Sequence, residues 1–223
     1  MADAIDASTA YPSRMRDHWW WRPGQRVGRR FYTFHVTFNR DTIAEGFDAM
    51  QQMVRSYQAH LARLPNLDLV PPRWLHLTTQ GVGYTDEVDE ADVQKITEAV
   101  RRRCALLSRM TVTIGPAYLD PEGVPLPVTP VEPLAQLRAE LRAGIADVWS
   151  PDRVPEPAEG FHPHVTLAYS NAVGPAAPHA ELLASLEPMS VQVTIRAMQL
   201  IVLGRDTHLY SWQPYATLPL GDN

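Results

Sequence analysis

Three things are scarce in this chain. It has one cysteine in 223 residues, Cys104, so neither an internal disulfide nor a cysteine-based metal cluster can be assembled from it, and secretion gains no support. Cys104 lies in VRRRCALL at a helical core spacing and reads as a small buried hydrophobe. Long apolar runs are missing too: no stretch approaches the roughly twenty residues that a membrane span requires. The opening MADAIDASTAYPSRMRD has no basic segment followed by an apolar one. The expectation is a cytoplasmic protein with no membrane partner. Positive charge is the third shortage. A formal net charge of −5 and a pI near 5.9 leave no overall field to draw the molecule onto long duplex nucleic acid, whereas a small or terminal substrate is easily accommodated.

What is present suffices for a packed core, since 45% of residues are apolar and 9% aromatic. Residues 1–28, with WWW at 19–21 and the arginines of RPGQRVGRR, read as an irregular arm. Residues 29–223 read as one bilobal domain. RFYTFHVTF (30–38) is a first strand by its aromatic and β-branched content. A helix is expected next, opened by a Thr42/Glu45 capping box, carried by Ile43, Phe47, Met50, Val54, Tyr57, Leu61 and Leu64, and ended by Pro65. WLHLTTQ (74–80) predicts a second strand, and 85–107 a helix with an acidic first turn. MTVTI (110–114) alternates cleanly; a strand is expected there, running on through AYLD and, after a Pro-Glu-Gly turn, VPLPV. A helix over 131–149, a strand in 161–170, a short helix near 178–186 and three closing strands, SVQVTI, MQLIVL and THLYSW, complete the pattern. Each half thus runs strand, long helix, proline-rich link, strand, helix, which suggests two similar lobes facing one another.

The chemistry centres on histidine. His-x-Thr occurs three times, at His35-Val36-Thr37, His76-Leu77-Thr78 and His164-Val165-Thr166. Eight histidines placed at random give about one such triplet, so context has to separate them. His76 follows Pro65 by 11 residues and His164 follows Pro151 by 13, so these two hold the same place in each half. In FHPHVTLAYS (161–170) the strand period of two sets His162, His164 and Thr166 on one side, with Phe161, Val165 and Leu167 on the other. Two histidines from two lobes match the needs of phosphoester cleavage: a neutral imidazole removes a proton from the attacking oxygen and a protonated one delivers a proton to the leaving oxygen. Two threonines on the same faces can donate hydroxyl hydrogen bonds to the non-bridging oxygens, and no metal or other cofactor is needed.

On these residues the sequence resembles the two-histidine phosphoesterases, which include the bacterial 2′-5′ RNA ligase-like proteins and the RNA 2′,3′-cyclic phosphodiesterases. Their signature is a pair of His-x-Thr/Ser motifs roughly eighty to ninety residues apart, the second commonly within Phe-x-Pro-His-Val-Thr-Leu. Phe161, Pro163, His164, Val165, Thr166 and Leu167 match that run, His76 precedes His164 by 88 residues, and QGVG follows the first motif. The resemblance spans most of residues 30–213. It implies an α+β fold of two antiparallel sheets facing a central cleft, with helices on the outside. It also implies a catalytic pair, His76 and His164, with Thr78 and Thr166 on the phosphate. The later histidine would be the base and the earlier the acid in hydrolysis, an order that ligation reverses. The implied activity is a metal-independent phosphodiesterase on ribose 2′,3′-cyclic phosphate ends or 2′-5′ linkages, with a small nucleotide or RNA terminus as partner; apart from the resemblance, a monomer is the expectation.

The chain departs from the pattern after the second motif, where relatives that act on RNA carry arginine and this sequence has Tyr169, Ser170 and Asn171. Tyr169 offers a stacking face or a hydroxyl for substrate, against the reading of a tyrosine packed at a strand end. His162 shares the face of His164 and can orient substrate or lie exposed on the rim. His35 stands on the first strand, either as a chance triplet or near the cleft. Arg22, Arg26, Arg29 and Arg30, Arg205 and Tyr210 are further candidates for the cleft wall, and the tryptophans for packing the arm onto a lobe. Zinc on His162 and His164 is the rival chemistry, without a third ligand on that face. A protein that binds a nucleotide or RNA end without turning it over is the alternative function.

Overall fold

A computed structural model describes residues 11–221. The strands are β1 Arg14–Met15, β2 Phe31–Thr37, β3 Ile43–Glu45, β4 Leu67–Leu69, β5 His76–Tyr84, β6 Met110–Ile114, β7 Gly123–Thr129, β8 His164–Ser170, β9 Gly174–Pro175, β10 Val191–Ile195, β11 Ala197–Gly204 and β12 Ser211–Pro219. The helices are α1 Phe47–Leu61, α2 Glu90–Cys104, α3 Val131–Trp149 and α4 Ala177–Ala184. Strands join into a six-stranded sheet, ordered β3-β10-β6-β7-β8-β4, a four-stranded sheet, ordered β12-β11-β2-β5, and the small β1-β9 pair. Every pairing between these strands is antiparallel.

Each large sheet mixes strands from both ends of the chain. β2 and β5 are joined by the closing β11 and β12, whereas β3 and β4 flank strands of the second half. The helices follow their apolar stripes. Met50, Val54, Tyr57 and Leu61 of α1 are buried on the six-stranded sheet, while α2 and α3 pack on each other and back the four-stranded one. The opposite face of each sheet is left to form a cleft.

Local chemistry explains where elements depart from the sequence reading. Thr42 and Glu45 form no capping box: Ile43–Glu45 pairs with β10, and α1 starts after Gly46, whose φ of 80° is open to glycine. A Cβ on Gly46 would lie 2.1 Å from the Gln192 carbonyl oxygen, so only glycine lets the chain turn that close to β10. The strand expected to continue through AYLD stops at Ile114, because Gly115 takes φ 102° against the Met189 carbonyl. In 161–170 the ladder begins only at His164, after Pro163, which has no N–H to donate.

Candidate active site

The cleft between the sheets has a volume of about 570 Å³. His76 and Thr78 at the start of β5 reach it from one sheet, and His164 and Thr166 at the start of β8 from the other. Strand alternation explains the pairing, since positions two apart face the same way. Both histidines are held alike. His76 Nδ1 lies 2.8 Å from the Trp74 carbonyl and His164 Nδ1 2.8 Å from the His162 carbonyl. A carbonyl only accepts, so each Nδ1 carries a hydrogen and each Nε2 is left free to accept or donate a proton. The repeat correspondence between the halves therefore extends to a shared backbone bond, two residues upstream of each ring.

Their surroundings differ. His164 is exposed, whereas His76 is buried, with His35 stacked on it at 4.8 Å and 12° and the edges of Tyr210 and Trp212 against it. Burial, with a further contribution from nearby His164, lowers the His76 pKa to about 4. His35 also lines the cleft, but both its ring nitrogens are buried without a hydrogen-bond partner. Burial and then His76 hold its pKa well below the usual value.

Tyr169 lines the cleft as a packed residue. Its ring stacks on His18 at 4.2 Å, with the edges of Trp19 and Tyr210 against it, and burial raises its pKa. One aromatic face is thus already occupied. The His162 ring is exposed and does not line the cleft; its backbone carbonyl, holding His164, is what serves the site. Among the described residues no three His, Cys, Asp or Glu are grouped to hold a metal ion.

Of the further candidates for the cleft wall, all but Arg30 line it. Arg22, Gln25, Arg26 and Arg29 line the cleft, together with Arg205 and Tyr210. With Asp120, Glu122 and Glu156 as the acidic lining, four arginines face three carboxylates inside an otherwise acidic molecule. Arg205 is committed to structure: it donates to the His18 carbonyl at 3.0 Å and to Gln25, and sits near the Trp19, Trp21 and Tyr210 rings. Trp19 is buried, donating from Nε1 to Asp68 at 2.9 Å, while Trp20 and Trp21 stay exposed, and none of the three lines the cleft. His18 was not singled out by any motif. It donates from Nδ1 to Glu122 at 3.0 Å and accepts from the Tyr210 hydroxyl at 2.9 Å as a neutral ring, because burial and Arg22 outweigh Glu122 and lower its pKa to about 4.

A family model described as the 2′-5′ RNA ligase superfamily matches residues 47–207, which contain both cleft His-x-Thr motifs. The chain belongs to that superfamily. Solved structures show the same fold as this 2′-5′ RNA ligase superfamily member. TT0787 of Thermus thermophilus matches with a TM-score of 0.64 at 19% identity, over 87% of this chain and 100% of that one. E. coli LigT matches in its apo form with a TM-score of 0.59 at 16% identity, and in complex with 3′-AMP with a TM-score of 0.60 at 17% identity. Both LigT structures cover 86% of this chain, at 98% of their own length. No sequence among curated proteins matches the chain. The superfamily match begins at Phe47, so the arm and β2, with their cleft residues, lie outside it.

Proposed function

We propose that this superfamily member is a metal-independent phosphodiesterase that opens ribose 2′,3′-cyclic phosphates or cleaves 2′-5′ linkages at nucleotide or RNA ends. The observation that carries the reading is the matched pair of imidazoles on one cleft, each with Nδ1 tied to a carbonyl and Nε2 free. Support for a nucleotide comes from LigT, which has been crystallised with 3′-AMP, phosphate, ATP and NADP+.

In hydrolysis a water oxygen attacks phosphorus and gives its proton to one Nε2; the bond from phosphorus to O3′ breaks, and O3′ takes a proton from the other Nε2, leaving a 2′-phosphate. Thr78 and Thr166 donate to the non-bridging oxygens as their charge grows. We assign proton removal to His76, because burial keeps it neutral in the free protein, and proton delivery to exposed His164. That order is the reverse of the one the family resemblance implies for hydrolysis.

The test is product formation from 2′,3′-cyclic nucleotides, RNA ends and 2′-5′ oligomers, with His76→Ala and His164→Ala as comparisons. Each substitution is expected to lower kcat by at least about 100-fold, the lower end for general acid or base catalysis, and chelator is expected to change nothing. Binding of these ligands with no product from any would favour the binding-protein alternative; a single alanine variant with near-normal turnover would overturn the assignment.

A further inference from the structure

The cleft continues beyond the histidines, along β2, to an aromatic ring beside a carboxylate. Phe31 opens β2 four residues before His35, on the same face of the strand and roughly 13 Å along it. Phe31 lines the cleft half-buried, edge-on to Tyr84 at 5.0 Å. Beside it is Glu156. The two meet over Gly81: a Cβ there would lie 2.6 Å from Glu156 Oε1 and 3.0 Å from the Phe31 ring, so the missing side chain makes room for both.

The backbone at Glu156 is held in place, while its side chain is 44% exposed. Its backbone is left-handed, with φ 63°, uncommon for a residue other than glycine, asparagine or aspartate and a mark of a site that the surroundings over-determine. Those surroundings are visible. Arg142 takes the Pro155 and Glu156 carbonyls at 3.0 and 2.7 Å, and Arg138, itself buried, takes the Pro157 and Ala158 carbonyls at 2.8 and 2.7 Å. Four consecutive carbonyls are thereby pinned to α3. The carboxylate meets Arg138 Nη2 only at 3.7 Å, which leaves both oxygens capacity to accept from a ligand.

We propose that Phe31 and Glu156 form a base-recognition subsite selective for guanine, a reading that rests on the nucleotide phosphodiesterase proposed above. The base stacks on Phe31 and its edge meets the carboxylate. An ionised carboxylate only accepts, with two oxygens side by side; guanine presents two adjacent donors, N1–H and the 2-amino group, which fill both. Adenine and cytosine each set a ring-nitrogen acceptor beside their amino group, and uracil flanks its one N–H with carbonyls, so each would face the carboxylate with at least one repulsive contact. A good bidentate base contact discriminates by about 5- to 150-fold.

The experiment compares kcat/KM for the four nucleoside 2′,3′-cyclic phosphates in the wild type, Glu156→Gln and Phe31→Leu. The wild type is expected to favour guanosine over each other base by about 10-fold or more. Glu156→Gln, which exchanges one acceptor oxygen for a donor at constant shape, is expected to collapse that ratio to within about threefold, while Phe31→Leu raises KM for all four. Equal rates on the four bases in the wild type, or a guanosine preference that survives Glu156→Gln, overturns the subsite. If nothing is turned over, calorimetric binding of the four nucleoside 3′-monophosphates decides. A guanosine preference lost in Glu156→Gln upholds the subsite while the catalytic reading fails, and four equal affinities sink the subsite.

Discussion

Two imidazoles that make the same backbone hydrogen bond lie in different surroundings, and the roles proposed for them rest on that difference. His76 is enclosed by His35, Tyr210 and Trp212, while His164 is exposed. With a His76 pKa near 4 in the free protein, kcat/KM is expected to hold level from about pH 6 to 5 and to fall near pH 4, as the base takes up a proton. Initial rates after a pH jump test this. The profile counts the one proton that the pair carries, which is the same in either order, so it tests the lowered His76 pKa; a profile with no fall near pH 4 would sink that value. The threonines give a second expectation. Replacing Thr78 by Val removes the hydroxyl and keeps the branched shape, so kcat should fall on the order of 100-fold, as on losing one preorganised donor to developing charge, with KM changed much less. Steady-state kinetics on a cyclic nucleotide reads both, and an unchanged kcat would remove Thr78 from phosphate stabilisation.

The elements carry their own test, at glycines that look alike in dihedral angle. Gly46 and Gly28 have φ of 80° and 79°, yet a Cβ at 46 would meet the Gln192 carbonyl at 2.1 Å and one at 28 would meet nothing within 4 Å. Alanine at 28 should cost about 1 kcal/mol for its left-handed backbone alone, and at 46 more than about 3 kcal/mol, since the start of α1 has to move away from β10. Urea midpoints of the two variants measure the gap, and equal losses would show that close approach does not fix this helix. The same pair of positions shows what sequence conveys. Helix α3, Val131–Trp149, was legible to the residue because its apolar spacing is local, whereas the motifs of β5 and β8 announced the strands but not their bounds: β5 runs from His76 on to Tyr84, and β8 starts only at His164. The start of α1 was misread, since Thr42 and Glu45 make a plausible cap unless the nearness of β10, some 145 residues on, is known. The repeat pointed to two facing lobes, and the family resemblance to a cleft between them carrying both His-x-Thr pairs. Glu156 and His18 were not, because the Arg138 and Arg142 bonds and the Tyr169 stack that define them join positions that no spacing rule connects.

At the scale of the whole molecule, the polar groups gathered around the cleft tie stability to pH. His18, His35 and His76 are all buried, and burial is the first cause of the lowered pKa of each: to about 4 for His18 and His76, and well below the ordinary value for His35. Unfolded, each titrates near 6.5. Between 6.5 and the folded value the unfolded chain therefore binds more protons than the folded one. Stability is full above pH 6.5 and is lost as pH falls towards 4. A histidine fully inside its window contributes a slope of about 1.4 kcal/mol per pH unit, and the three together about 4 at the steepest. Urea unfolding at pH 7, 6 and 5 is expected to show that decline, steepest below pH 6. His35→Phe isolates one contributor, because it keeps a flat ring against His76 while removing two buried nitrogens that no hydrogen bond satisfies. The variant should be at least as stable as the wild type at pH 7, since it no longer buries unpaired polar atoms, and its decline towards pH 5 should be shallower by about a third. A wild-type stability flat from pH 7 to 5, or a decline untouched by His35→Phe, would show that these rings are not held neutral by burial, and the assignment of His76 as base would lose its ground with them.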